Sequence, residues 1–107
     1  MEAACKGAKE EGGLTVGILP SLDESVANRF LDVKIPTGLG YARNILVVRA
    51  SGFLIAIDGK YGTLSEIAFA LNEGKTVVGI DTWKIKGVIK VKTPKEAVAR
   101  IKRLAKR

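Results

Sequence analysis

The apolar run Phe53-Leu-Ile-Ala-Ile57 leads straight into Asp58-Gly-Lys-Tyr-Gly-Thr-Leu-Ser-Glu66. A strand, a glycine turn and a helix start in that order present unpaired backbone N–H groups and a positive dipole end, which suits an anion. Gly59 and Gly62 let the backbone approach a ligand closely, and the Thr63 hydroxyl can add a hydrogen bond. The run is not a Walker A loop, because the Gly-Lys-Ser/Thr ending is missing. It also reads as a plain helix start, since Thr63-x-x-Glu66 is a capping box with Thr63 as N-cap and Glu66 at N3. Ser21-x-x-Glu24 and Thr93-x-x-Glu96 repeat that pattern where no chemistry is evident. A second group is Arg43 and Asn44, where a guanidinium at the start of an apolar helix needs a carboxylate, phosphate or solvent partner. Arg49 sits about 120° or more around that helix from Arg43 and reads as part of a structural ion pair.

These residues need elements to hold them. Glu2 to Glu11 reads as a helix with a small-residue face (Ala4, Cys5, Ala8), stopped by Gly12-Gly13. Cys5 is a small apolar residue of that face. Leu14 to Leu19 is a short strand ended by Pro20, and Ser21 to Val33 is loop-like with a helical turn. Val33 to Ile35 is a brief strand before Pro36. A helix is expected from about Tyr41 to Ala50, apolar on most sides and therefore buried. Its leading Gly38-Leu-Gly-Tyr-Ala-Arg43 has only two glycines of a dinucleotide loop and no strong strand before it. Phe53 to Ile57 and Thr76 to Ile80 are continuous apolar strands, flanking a helix that starts at Gly62 or Thr63 and runs to Asn72. Lys86 to Lys92 alternates in the manner of a lysine-decorated edge strand. Thr93-Pro94 opens a last helix with the apolar face Ala97, Val98, Ile101, Leu104 and Ala105.

Strands alternating with helices and apolar on both faces imply an α/β fold with a parallel sheet covered on two sides. At 107 residues the expectation is one domain, residues 1–107. Ligands of such sheets bind beyond the carboxyl ends of the strands. Here those ends are Pro20-Ser21, Asp58 to Thr63, and Asp81-Thr82-Trp83.

Composition removes several classes of chemistry. One cysteine excludes an internal disulfide, and with no histidine it argues against a zinc site; no metal ligands are expected. Lack of histidine also excludes a Ser-His-Asp or Cys-His mechanism within one chain. The apolar stretch Ile45 to Ile57 is too short, and too charged at Arg49, to span a bilayer. The start Met1-Glu2-Ala3-Ala4-Cys5-Lys6 is not a secretory signal, so the expected setting is cytoplasmic. The net charge of +7 suggests nucleic acid. However, residues 94–107 alone carry +5, with no aromatic side chain for base stacking. A solvated helix face explains them better. Absence of Gln beside abundant Lys, Arg and Glu is common in heat-adapted, thermostable proteins.

Three stretches carry a family resemblance: Pro36-Thr-Gly-Leu-Gly-Tyr-Ala-Arg-Asn44, Val47-Val-Arg49 and Tyr61-Gly-Thr-Leu-Ser-Glu-Ile-Ala68. They resemble the DprA/Smf-related Rossmann-like group, which includes LOG ("lysine decarboxylase-like") proteins and molybdenum-cofactor carriers. The similarity runs from Met1 to about Trp83 and is strongest to the carriers. It implies a parallel Rossmann-like sheet flanked by helices. It places Arg43 and Glu66, 23 residues apart, on the catalytic pair of the LOG enzymes. Gly59, Gly62 and Thr63 fall on the phosphate-cradling part of their motif, with Tyr61 beside them. Asp58 and Lys60 stand where LOG proteins have Pro and Gly, and Ser65 replaces a Glu. Family members begin with about two further strands and a Gly-rich loop, so the chain looks like an N-terminally truncated domain, its C-terminal two-thirds.

The leading expectation is therefore a protein binding a phosphorylated small molecule or nucleotide, of the LOG or molybdenum-cofactor-carrier type. Asn44, Asp81, Thr82 and Trp83 would contribute to the ligand site. The cofactor would be a nucleotide or molybdenum cofactor. A second expectation is an enzyme, a nucleoside 5'-monophosphate phosphoribohydrolase cleaving the N-glycosidic bond with Glu66 and Arg43. A third, ranked last, is a single-stranded nucleic-acid module using Lys102, Arg103, Lys106 and Arg107. The resemblance also implies a homodimer or higher homo-oligomer.

Overall fold

The computed structural model describes residues 1–106, the side chain of Val26 apart; Arg107 of the basic tail lies outside the described residues. The chain divides into two compact units, Met1–Arg43 and Asn44–Arg107. Among the described residues all strand pairings are parallel, in an α/β arrangement. The single sheet expected from the sequence is present as two ladders, one in each unit.

The first unit opens with α1 (Glu2–Glu10), stopped as the glycine pair implies: Gly12 takes φ +77° and the Gly13 amide donates to Ala8 O at 2.8 Å. No α1 residue is buried. Cys5 is half-buried, and its Sγ accepts from Asn28 Nδ2 at 3.7 Å. Strands β1 (Val16–Leu19) and β2 (Val33–Pro36) pair from Val16↔Val33 to Leu19↔Pro36. The helical turn between them is a 3-10 turn, Glu24–Val26, and it lacks the expected Ser21/Glu24 capping box. Asp23 caps it instead, accepting from the Ser25 amide at 2.9 Å, while Ser21 Oγ accepts from the Asp23 amide at 2.8 Å. Bonds spanning two residues close more readily here than the four-residue box.

Asp32 is the hub of this unit. Its Oδ1 accepts from Lys9 Nζ at 2.8 Å, and its Oδ2 accepts from the buried Thr15, through the amide at 2.9 Å and Oγ1 at 3.2 Å. The Lys9 bond first, then the Thr15 amide, hold the Asp32 carboxyl below its usual range. This network ties the end of α1, the start of β1 and the start of β2.

The second unit begins with α2 (Asn44–Arg49). The sequence suggests one buried helix over about Tyr41–Ala50; instead a 3-10 turn, Gly40–Arg43, precedes a short α-helix. Gly38 and Gly40, at φ +66° and +59°, set left-handed backbone just upstream, and the chain continues through a tight turn. Only Asn44 and Val48 of α2 are buried, and Leu46 is exposed. Lys75 closes the C-terminal end of α2, donating to Val48 O at 2.7 Å, Arg49 O at 3.2 Å and Ser51 O at 2.7 Å. Arg49 makes the expected ion pair, with Glu73 at 3.1 Å.

Strands β3 (Phe53–Ile57), β4 (Thr76–Ile80) and β5 (Ile89–Val91) form the larger sheet in that order. Helix α3 (Tyr61–Asn72) connects β3 to β4, and α4 (Pro94–Ala105) follows β5. Central β4 is covered on both faces, as its apolar run implies. Val77 packs with Val48, Ile67 and Ala70, whereas Val78 and Ile80 pack with Ala97. Strand β3 departs from that expectation: Leu54 and Ala56 pack on the first cluster, but Phe53, Ile55 and Ile57 are exposed. It lies at the sheet edge opposite β5, where the Ala97 cluster draws only on β4, β5 and α4.

The last helix has the Thr93 cap that its sequence implies, although Glu96 reaches the amide before the N-cap rather than that of Thr93. Thr93 Oγ1 accepts from the Glu96 amide at 3.1 Å, and Glu96 Oε2 accepts from the Lys92 amide at 3.1 Å. Its apolar stripe is narrower than expected: Ala97 is buried and Ile101 and Leu104 half-buried, but Val98 and Ala105 are exposed. Among the described residues no helix is long and apolar enough to cross a membrane.

Candidate functional site

The carboxyl ends of β3 and β4 lie side by side, closed by the pair Ile57↔Ile80. The next residue on each strand, Asp58 and Asp81, takes left-handed backbone, at φ +50° and +47°. Among the described residues these are the only non-glycine positions with positive φ. Asp tolerates this conformation, at a cost of about 1 kcal/mol, and such positions gather at functional sites. The two exits are laced together. The Asp58 amide donates to Ile80 O at 3.0 Å, Thr82 Oγ1 donates to Asp58 O at 2.7 Å, and Trp83 Nε1 donates to Lys60 O at 2.9 Å.

Gly59, at φ +104°, carries the chain from β3 into α3. A Cβ there would fall inside the Thr63 side chain, so the turn requires glycine for its own packing. Helix α3 starts at Tyr61, earlier than the sequence rule places it. Its N-cap is Lys60, with no side-chain cap, so the Thr63/Glu66 capping box does not form. The sharp turn at Asp58-Gly59 drives the chain into helix before Thr63 can cap it. As in any α-helix, the first amides, here those of Tyr61, Gly62 and Thr63, have no carbonyl partner within the helix.

Asn44 lies against this same turn. It is 2% exposed, and its Nδ2 donates to Ser65 Oγ at 3.1 Å and Gly62 O at 3.4 Å. Ser65 Oγ in turn donates to Gly62 O at 2.7 Å, which fixes the amide orientation. Asn44 Oδ1 is then buried without a hydrogen-bond partner among the described residues. Leaving such an acceptor unpaired costs about 1–3 kcal/mol. Arg43 Nε, one residue earlier, is likewise buried without a partner.

The structure thus groups Asn44, Gly59, Tyr61, Gly62, Thr63, Asp81, Thr82 and Trp83 around the β3–α3 turn and the β4 exit. Glu66 is half-buried on α3 of the second unit and has interactions of its own; Arg43 is the last residue of the first unit. Sequence reasoning missed the left-handed Asp58 and Asp81 and the anchoring of Trp83. An Asp directly after an apolar strand, twice over, is the signal that could have found the first. Among the described residues no group of three or more Cys, Asp or Glu is placed to hold a metal ion.

Comparison with known proteins bears on this grouping. The sequence model of the SLOG cluster4 family matches residues 1–106. An uncharacterized protein of Archaeoglobus fulgidus is 48% identical over 99 residues, which are 92% of this chain but 65% of that protein, so the chain spans just under two thirds of this relative. The molybdenum cofactor binding protein of the phototrophic bacterium Rippkaea orientalis superposes with TM-score 0.89 at 35% identity, over 98% of this chain and 71% of that one. The Moco carrier protein of Chlamydomonas reinhardtii gives TM-score 0.83 at 37% identity, over 100% and 72% of the two chains.

Proposed function

We propose that this chain, which belongs to the SLOG cluster4 family, binds a phosphorylated small molecule at the β3–α3 turn, as a nucleotide or cofactor carrier. The observation that carries the reading is the buried, unpaired Asn44 Oδ1 beside an uncapped helix start. The amides of Tyr61, Gly62 and Thr63 suit a phosphate, and Asn44 Oδ1 would accept an N–H or O–H of the ligand. Asp58 and Asp81 at the strand ends disfavour a long polyphosphate, so a monoester is the better fit. The molybdenum cofactor, a phosphorylated pterin, is the cargo suggested by the proteins of Rippkaea and Chlamydomonas. Its phosphate would lie on the α3 amides.

Thermal unfolding tests the reading. AMP should raise the unfolding midpoint, adenosine should not, and Thr63→Ala should shrink the shift. No stabilisation by AMP, ribose 5-phosphate or the molybdenum cofactor would remove it. Free adenine appearing in the AMP sample, and not with Glu66→Ala, would make the protein a hydrolase instead. We carry the homo-oligomer forward with this proposal: the exposed Phe53, Ile55 and Ile57 of β3 are apolar surface that a second copy would cover. Sedimentation at a monomer mass would end it.

A further inference from the structure

Helix α3 exposes a large aromatic side chain where its fold has no use for one. Tyr61, the first residue of the helix, is 79% exposed, while the residues that α3 buries are Ile67 and Ala70. Tyrosine is also an indifferent helix former, so local propensity does not explain it. Its ring is not loose, however. It stacks on Trp83, with centroids 5.9 Å apart and planes 28° from parallel.

Trp83 is held in turn. Its indole N–H donates to Lys60 O at 2.9 Å, and its half-buried ring packs on the Val48, Ile67, Ala70 and Val77 cluster. The pair is therefore a firm aromatic shelf, anchored on one side and open on the other. It stands at the residue whose own amide opens α3, next to the amides of Gly62 and Thr63.

Resting on the phosphate-site reading above, we propose that Tyr61 and Trp83 form a stacking ledge that selects ligands carrying a flat heterocycle over the same phosphate ester without one. A π-face stacked on an anchored aromatic adds affinity with little entropy cost, since Trp83 already restrains Tyr61. The ledge supplies no hydrogen-bond code of its own, so it reads flatness rather than base identity. Ligand class is thus set by two separate features: the α3 amides take the phosphate and the ledge takes the ring.

The chain has one tryptophan, which makes Trp83 a reporter built into the ledge. The experiment titrates the intact protein with AMP and with ribose 5-phosphate, following binding by calorimetry and Trp83 by its fluorescence. AMP should bind about ten-fold or more tightly than ribose 5-phosphate and alone quench Trp83. Tyr61→Ala, which keeps the phosphate-binding amide and removes only the ring, should weaken AMP by about ten-fold and ribose 5-phosphate by far less, and Tyr61→Phe should restore AMP affinity. Tyr61 is exposed, so neither variant disturbs the core. Equal affinity for the two ligands, or an equal loss of both in Tyr61→Ala, overturns the ledge while leaving the phosphate site standing. Binding of neither ligand overturns both.

Discussion

In the first unit the best-connected group is a carboxylate, Asp32, bonded to Lys9 and Thr15; in the second it is a layer of aliphatic side chains around β4. Among the described residues of the first unit Leu19 is the one buried hydrophobic side chain, and Leu14, Val16, Val33 and Ile35 stay exposed. The second unit buries Val48, Ile67, Ala70, Val77, Val78, Ile80 and Ala97. Aliphatic packing does not respond to pH, whereas an ion pair does. The difference teaches that one short chain is held mainly by polar bonds in one part and by aliphatic burial in the other. The candidate site stands on the aliphatic unit, where its turn is braced by one backbone bond to Ile80 and by the side chains of Thr82 and Trp83 beyond β4.

The comparison is broken most forcefully from the apolar side. Ile67 is 1% exposed and touches the α2, α3 and β4 layer, so Ile67→Ala should cost about 2–5 kcal/mol. Chemical unfolding read by Trp83 fluorescence measures it directly. A loss well under 1 kcal/mol would show that the second unit is not core-dominated. Lys75→Met comes next, because it removes three charge-assisted bonds, two to the last carbonyls of α2 and one to Ser51 O just beyond it, while keeping the stem. The expected loss is about 1–2 kcal/mol. An unchanged midpoint would mean that water serves those carbonyls equally well.

The smallest effect sharpens the contrast from the polar side. Asp32 has a lowered carboxyl pKa in the fold, so its contribution is complete above the unfolded value of 3.8 and is lost as pH falls through the folded one. Protection of the Thr15 amide against hydrogen exchange, corrected for its intrinsic rate, should therefore fall in acid below that value. Asp32→Asn should flatten the dependence. Acid-independent protection in the wild type would deny the carboxylate its part in the first unit.

Much of the architecture is legible in the residues. The unbroken apolar run of Thr76–Ile80 marks a strand covered on both faces, and the alternating lysines around Ile89–Val91 mark an edge. Thr93-Pro94 marks a helix start because both the cap and the fixed φ are local facts. What stayed hidden depends on residues far apart in sequence. Lys75 reaches carbonyls 24 to 27 residues away, and Trp83 reaches Lys60 across 23. No spacing rule reports such bonds.

The start of α3 lies one or two residues before Gly62 or Thr63 for a different reason. Thr63-x-x-Glu66 has the pattern of a cap, but backbone handedness at Asp58 and Gly59 decides where the helix begins. The phosphate-cradling residues were legible as glycines and a hydroxyl after a strand. The unpaired state of Asn44 Oδ1 was not, since it depends on which of its neighbours take the Nδ2 side.

The most direct test of the central claim is a calorimetric titration of the intact chain with AMP, wild type beside Gly62→Asp. A carboxylate at the second residue of α3 opposes a phosphate on its amides, whatever the rest of the ligand contributes. Saturable binding by the wild type, lost in Gly62→Asp with the fold retained by circular dichroism, is the predicted result. Binding that survives the added carboxylate unchanged would contradict it and move the ligand away from the α3 start.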